Sequence, residues 1–199
     1  MKFKKLFLIS CETRGKKMKL LGISGSLTAN SKTRKLVEAV LEVAAKSAPD
    51  VRTELLDLSE YNVEFCDGRK LEQYGAETRE VVEKVINADA YVIATPIYQG
   101  SLSGALKNLF DLVPPSAFRH KVIGFAANGG TYHHFLVIEN QLKPIAGYFH
   151  AYVTPGYVFA HNDHFNSNKE IADEEIKGRL KSLAEEIVYM SRQLTKRNG

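Results

Sequence analysis

The chain has 199 residues, of which 44% are apolar and 25% charged, and its formal net charge is +4. That length suits one domain with a substantial buried core, and the composition is that of an ordinary globular protein. Lysines and arginines are scattered, which argues against the concentrated basic face of a nucleic-acid binder, and no stretch approaches the ~20 apolar residues of a membrane span.

Residues 1–17 read as an N-terminal extension or a wrongly assigned start. "MKFKKLFLISCE" has basic residues and a lipoprotein-like "LISC", but its apolar run is only Leu6–Ile9. A signal-peptide core needs roughly 7–15 apolar residues. Met18 then opens a clean "MKLLGISGS". Cys11 and Cys66 have no CxxC spacing and read as unpaired thiols in a reducing cytoplasm.

"KLLGIS" (19–24) is the first predicted strand. Over residues 32–47, Leu36, Val37, Val40, Leu41 and Ala44 share a helical face, and Pro49 ends that helix. "VRTELLDLSE" (51–60) is a second strand. Residues 59–74 lack a period and read as a surface loop, followed by a helix over about 76–87. "ADAYVIATP" (88–96) is a third strand, apolar on both faces as in the centre of a parallel sheet. Residues 102–113 are helical and stop at Pro114-Pro115. "HKVIGFAAN" (120–128) is a fourth strand, and 131–143 a helix ended by Pro144. "HAYVTPGYVFA" (150–160) is a fifth strand interrupted at Pro155-Gly156. A last helix spans about 170–195. The expectation is an α/β three-layer sandwich: a five-stranded parallel sheet with helices on both faces, over residues 18–199.

Ligands of such sheets bind beyond the carboxyl ends of the strands. The loop after strand one is "GSLTANSKT", from Gly25 to Thr33. It resembles a P-loop in which both glycines have become serines. A triphosphate loop needs those glycines, and a dinucleotide fingerprint needs G-x-G-x-x-G, whose spacing "GISGSL" fails. A hydroxyl-lined loop for a terminal phosphate monoester fits best, because a helix N-terminus offers free N–H groups and partial positive charge. A serine-rich helix cap without a ligand is the competing reading. Two further polar-aromatic loops end strands three and four, "TPIYQGSLSGALKNLFDL" and "NGGTYHH". Tyr98 offers an aromatic face, and Gly129-Gly130 lets backbone approach a flat ring. Together they predict a ligand with a phosphate at one end and a planar heterocycle at the other.

These three stretches resemble the NADPH-dependent FMN reductase family, which is flavodoxin-like and includes azoreductases and quinone reductases. The resemblance covers about residues 18–165. It implies that Ser26, Ser31, Lys32 and Thr33 hold the FMN phosphate. It places Pro96, Ile97, Tyr98 and Gln99 along the isoalloxazine, with Gly129, Gly130 and Thr131 over the pyrimidine side. Family members often carry Arg where this chain has Thr28; Lys32 is the compensating cation. Gly104, Lys107 and Asp111 match the family's helix as structural or subunit-contact residues.

The implied cytoplasmic enzyme passes hydride from NADPH or NADH to flavin N5, with no catalytic side chain and no metal. It then reduces a small-molecule acceptor or releases reduced FMN to a flavin-dependent monooxygenase. Alternatives are an azo or quinone reductase with tightly bound FMN, and a flavodoxin-type electron carrier, which the basic charge opposes. The family pattern implies a homodimer or homotetramer. His133 and His134 are candidates for lining the flavin pocket. His161, Asp163 and His164 read as an exposed loop rather than a zinc site, which needs three or four convergent ligands.

Overall fold

The computed structural model describes residues 17–197. The extension expected over 1–17, with Cys11, lies outside the described residues except for Lys17. In chain order the elements begin β1 (Met18–Ser24), α1 (Lys32–Ser47), β2 (Val51–Asp57), α2 (Ala76–Ile86), β3 (Ala90–Tyr98) and β4 (Ser101–Leu102). They continue α3 (Gly104–Leu112), β5 (Val122–Gly129), α4 (Lys143–Tyr148), β6 (Tyr152–Val153), β7 (Val158–His161) and α5 (Glu174–Arg197).

Side chains alternate across a strand, so each central strand feeds two cores. Leu21 and Ile23 of β1 and Tyr91 and Ile93 of β3 join α2, α3 and α4 on one face. Leu20, Ala90, Val92 and Ala94 point the other way, against α1 and α5. Leu36, Val37 and Val40 of α1 are fully buried there. Each contributes roughly 1.5–3 kcal/mol relative to exposure. The strand order is β2-β1-β3-β5-β6, the order of flavodoxin-like sheets.

Among the described residues the sheet has seven strands rather than the expected five. One addition is β4, a two-residue strand antiparallel to the end of β3. The other arises because the fifth strand is two pieces, β6 and β7, both parallel to β5 and separated at Pro155-Gly156. With β4 in place, α3 starts at Gly104 rather than at 102.

The helix expected over 131–143 is also different. A 3-10 turn covers Tyr132–Phe135, a π-turn covers Ile138–Leu142, and α4 runs on through Pro144. The Lys143 N–H bonds to the Ile138 carbonyl, so the widened turn precedes a residue with no N–H to offer. Proline therefore sits in the first turn of α4 instead of ending a helix. The last helix starts at Glu174, because residues 166–170 form a closed turn of their own.

Candidate functional site

Strand β1 sends the chain to α1 on one face, and β3 sends it to α3 on the other. The crevice beyond their carboxyl ends is the switch point of the sheet. Residues 25–31 cross it. The Gly25 N–H donates to the Ala94 carbonyl at 2.8 Å. Ser103 Oγ, the N-cap of α3, donates to the Gly25 carbonyl at 2.5 Å. These bonds fix the start of the loop between β3 and α3.

Its end is fixed by Ser31, the N-cap of α1, whose Oγ accepts from Arg34 N at 3.1 Å. Ser26 Oγ accepts from Thr28 N at 3.1 Å. Both serines are buried. Each oxygen already accepts one bond, so each hydroxyl keeps its proton for another acceptor. Helix geometry leaves the Lys32 and Thr33 N–H groups without intrahelical partners at the positive end of the helix dipole. Thr33 differs from the serines: its hydroxyl donates to Asn128 Oδ1 at 2.7 Å.

Behind the loop, Arg34 Nη1 donates to the buried Asp57 at 3.0 Å and to Glu60 at 2.5 Å, and its Nε to Glu38 at 2.7 Å. Hydrogen bonds to Glu38 and then Glu60 push the guanidinium above its ordinary value. The cluster pins the start of α1 to the end of β2.

A cavity of about 260 Å³ opens in front of the loop. Ser26, Ser31, Lys32 and Thr33 line it from the first loop, Pro96, Ile97 and Tyr98 from β3, and Gly129 and Gly130 from the end of β5. Gln99 and Thr131 do not line it. Gln99 forms the turn between β3 and β4, with φ 49° there and 73° at Gly100. Thr131 precedes the 3-10 turn of residues 132–135.

Thr28, Asn128, Asn162 and Lys169 complete the lining. Sequence reasoning weighed Thr28 only as a missing arginine and passed over the other three. Asn128 carried a usable signal, as a polar residue closing an apolar strand. Asn162 and Lys169 lie in a loop without periodicity, and only their position after the last strand pointed to the crevice. Lys32 Nζ donates to Asn162 Oδ1 at 3.0 Å and stands 5.2 Å from the centre of the Phe165 ring. Among the described residues no carboxylate lines the cavity, whereas two lysines do.

The histidines do not line it either. His161 Nε2 lies 2.9 Å from the Gly130 carbonyl, and its ring stacks on Tyr132 with centroids 4.3 Å apart. His134 Nδ1 is buried without a hydrogen-bond partner, 3.0 Å from where a Cβ on Gly129 would stand. Among the described residues no group of three or more His, Cys, Asp or Glu could hold a metal ion. A second cavity, of about 530 Å³, adjoins the first through Thr28 and Tyr98. Its walls include Leu27, Leu58, Tyr61, Val63 and Phe65, and among the described residues no charged side chain lines it. Lys107, on α3, bonds both carboxylate oxygens of Asp111 at 2.6 and 2.7 Å.

A family model for NADPH-dependent FMN reductase matches residues 18–165. The chain belongs to the NADPH-dependent FMN reductase family. An NAD(P)H-dependent FAD/FMN reductase of Geobacillus thermodenitrificans is 60% identical over 173 residues, which cover 87% of this chain and 93% of the relative. An FMN reductase (NADPH) of Pseudomonas aeruginosa is 32% identical over 167 residues, 84% of this chain and 89% of that one. In fold, an oxidoreductase from Corynebacterium diphtheriae matches with a TM-score of 0.72 at 24% identity, over 90% of this chain and 99% of its own.

The donor set fits the cofactor that names the family. Two hydroxyl protons, helix N–H groups and two lysines, with no carboxylate, suit a phosphate monoester. A Cβ on Gly130 would stand 3.2 Å from Asn162 Nδ2, so a side chain there would crowd the wall.

Proposed function

We propose that the cavity between the three strand-end loops holds FMN, and that residues 18–199 form one reductase domain preceded by an extension over 1–17. As a member of its family the chain is an NAD(P)H-dependent FMN reductase. The observation that supports this placement is the convergence of Ser26–Thr33, Pro96–Tyr98 and Gly129–Gly130 on one carboxylate-free cavity.

Bound there, FMN would supply the redox chemistry that links NADPH or NADH to a second acceptor. The protein binds and orients. Ser26 and Ser31 donate hydroxyl protons to the phosphate, and the Lys32 and Thr33 amides and the Lys32 ammonium add to them. Pro96, Ile97 and Tyr98 form one side of the ring slot. The Gly129 and Gly130 amides, which line the cavity, are the candidates for the polar ring edge, where fixed donors stabilise negative charge as it develops. No acid–base side chain is required. The physiological acceptor is reduced flavin's user, a flavin-dependent monooxygenase, or a small molecule.

The test is direct. Purified protein should be yellow, or should oxidise NAD(P)H once FMN is added. A colourless protein inert in both respects refutes the reading.

The second cavity favours a second reading: reduction of an uncharged planar acceptor, such as an azo compound or a quinone, with FMN held in place. Leu27, Leu58, Val63 and Phe65 give it apolar wall, no charged side chain among the described residues lines it, and it adjoins the first cavity. Exposed Leu27, Phe65 and Tyr98 on this side support a homodimer or homotetramer. Light scattering of the purified protein decides the oligomeric state. We place the enzyme in the cytoplasm. No helix of the described residues is long and apolar enough to cross a membrane, and the Cys66 thiol is free.

A further inference from the structure

We propose that Lys169, on the turn between β7 and α5, selects a phosphorylated flavin over an unphosphorylated one. This rests on the FMN reading above and goes beyond it, because neither the phosphate loop nor the ring loops include this residue.

Four observations carry it. First, among the described residues Lys169 and Lys32 are the two cations lining the cavity. Second, the Lys32 ammonium shares its three donors with Asn162 and lies over the Phe165 ring, so it is only partly available to a phosphate. Among the described residues, Lys169 has no ion pair or side-chain hydrogen bond, so its charge is uncommitted. Third, the turn lies against the start of α1. Glu170 Oε1 is 3.2 Å from Nζ of Lys35, in the first turn of that helix. This pair ties the turn to α1, and Lys169 lines the same cavity as Ser31, Lys32 and Thr33 at the start of that helix.

Fourth, Lys169 has φ 63°, in the left-handed region. Asn166 Oδ1 accepts from the Asn168 and Glu170 N–H groups at 2.9 Å each, and the Lys169 N–H donates to the Asn166 carbonyl at 2.9 Å. The turn thus imposes a backbone that glycine or asparagine adopts more cheaply than lysine. The turn closed by Asn166 holds the Lys169 backbone in place, with the residue on the wall of the cavity. The ligand group it takes is a phosphate monoester dianion, and the flavin 5′-phosphate is the source that the α1 end receives. The 2′-phosphate of NADPH is the rival source of the same chemistry.

The experiment titrates apo-protein with FMN and with riboflavin, reading flavin fluorescence at low salt. Lys169→Met and Lys169→Gly are compared with Lys177→Met, which removes a remote surface charge. Both Lys169 variants should weaken FMN binding about tenfold, the scale of one charge-assisted contact, and leave riboflavin binding unchanged. Lys177→Met should change neither. Lys169→Gly should also melt at or above the wild-type temperature, which separates lost charge from lost folding. Unchanged FMN affinity in both Lys169 variants overturns the proposal, and so does equal weakening of FMN and riboflavin. If FMN binding holds while NADPH loses its advantage over NADH in equilibrium binding, the charge serves the other phosphate and the proposal falls. A wild-type protein that binds neither flavin refutes the FMN reading itself.

Discussion

The Thr33 hydroxyl donates to the Asn128 side-chain oxygen at 2.7 Å, joining the first turn of α1 to the carboxyl end of β5. Both residues are buried. One bond therefore sets the distance between the proposed phosphate loop and the proposed ring loop. Thr33→Val keeps the shape of the side chain and strands the Asn128 oxygen. It should cost about 1–2 kcal/mol, the penalty for a buried acceptor left unpaired. For a chain of this size that is a fall in Tm of roughly 2–8 °C. FMN affinity should fall with it, because the loops lose their spacing. Thermal melts and FMN titrations of the one variant check both effects.

Glu54 on β2 joins two other elements and gives a pH dependence. Its carboxylate meets Lys19 Nζ and Lys84 Nζ, each at 2.8 Å. Burial alone would raise its pKa. The hydrogen bonds from Lys19 and then Lys84 outweigh that and hold it below the usual 4.5. A depressed carboxylate leaves the folded state with fewer bound protons than the unfolded chain in acid. Its stabilisation is therefore present above the ordinary pKa and lost as pH falls through the folded value. Glu54→Gln should lower the urea midpoint near neutral pH by an amount worth about 0.5–1 kcal/mol. It should also shrink the loss of stability between about pH 7 and about pH 3. An acid limb identical to wild type would show that this pair carries none of the dependence.

The sheet was legible because buried parallel strands leave continuous apolar runs, as in "ADAYVIATP". Three of the loops around the cavity were legible for a linked reason: a strand that ends in a polar or glycine-rich stretch delivers it to the crevice. What escaped notice had no such signal. The π-turn before Pro144 is a tertiary solution that helical spacing does not encode. Strand β4 is two residues long and follows from the Gln99-Gly100 turn rather than from alternation. Lys169 belongs to a turn stabilised by the Asn166 side chain, and nothing in "HNDHFNSNK" says which side chain faces the site.

The Gln99 turn separates two views of that residue. With positive φ at both central positions, Gln99-Gly100 is a two-residue hairpin turn of the kind that prefers Asn-Gly. Gln99→Asn should be stabilising by about 0.5 kcal/mol, since asparagine tolerates the left-handed region better. The side chain is exposed and outside the cavity lining, so FMN affinity should stay within about twofold, well under one hydrogen bond's worth. A several-fold loss of FMN affinity would instead place Gln99 along the ring, as the family resemblance implies.

Ser31 does two jobs that one substitution can part. Its oxygen caps α1 by accepting from Arg34 N, and its hydroxyl proton is the one we assign to the phosphate. Alanine removes both and should cost about 1 kcal/mol of stability along with affinity. Aspartate is as good an N-cap as serine and suits the helix dipole, so Ser31→Asp should hold stability within about 0.5 kcal/mol of wild type. Its fixed negative charge, however, occupies the place of the phosphate and has no proton to donate. FMN affinity should drop by more than about tenfold, while riboflavin, with no phosphate, should be affected far less. Urea denaturation and paired flavin titrations read the two quantities separately. Retained FMN affinity in a stably folded Ser31→Asp protein would mean that the phosphate does not sit at the mouth of α1.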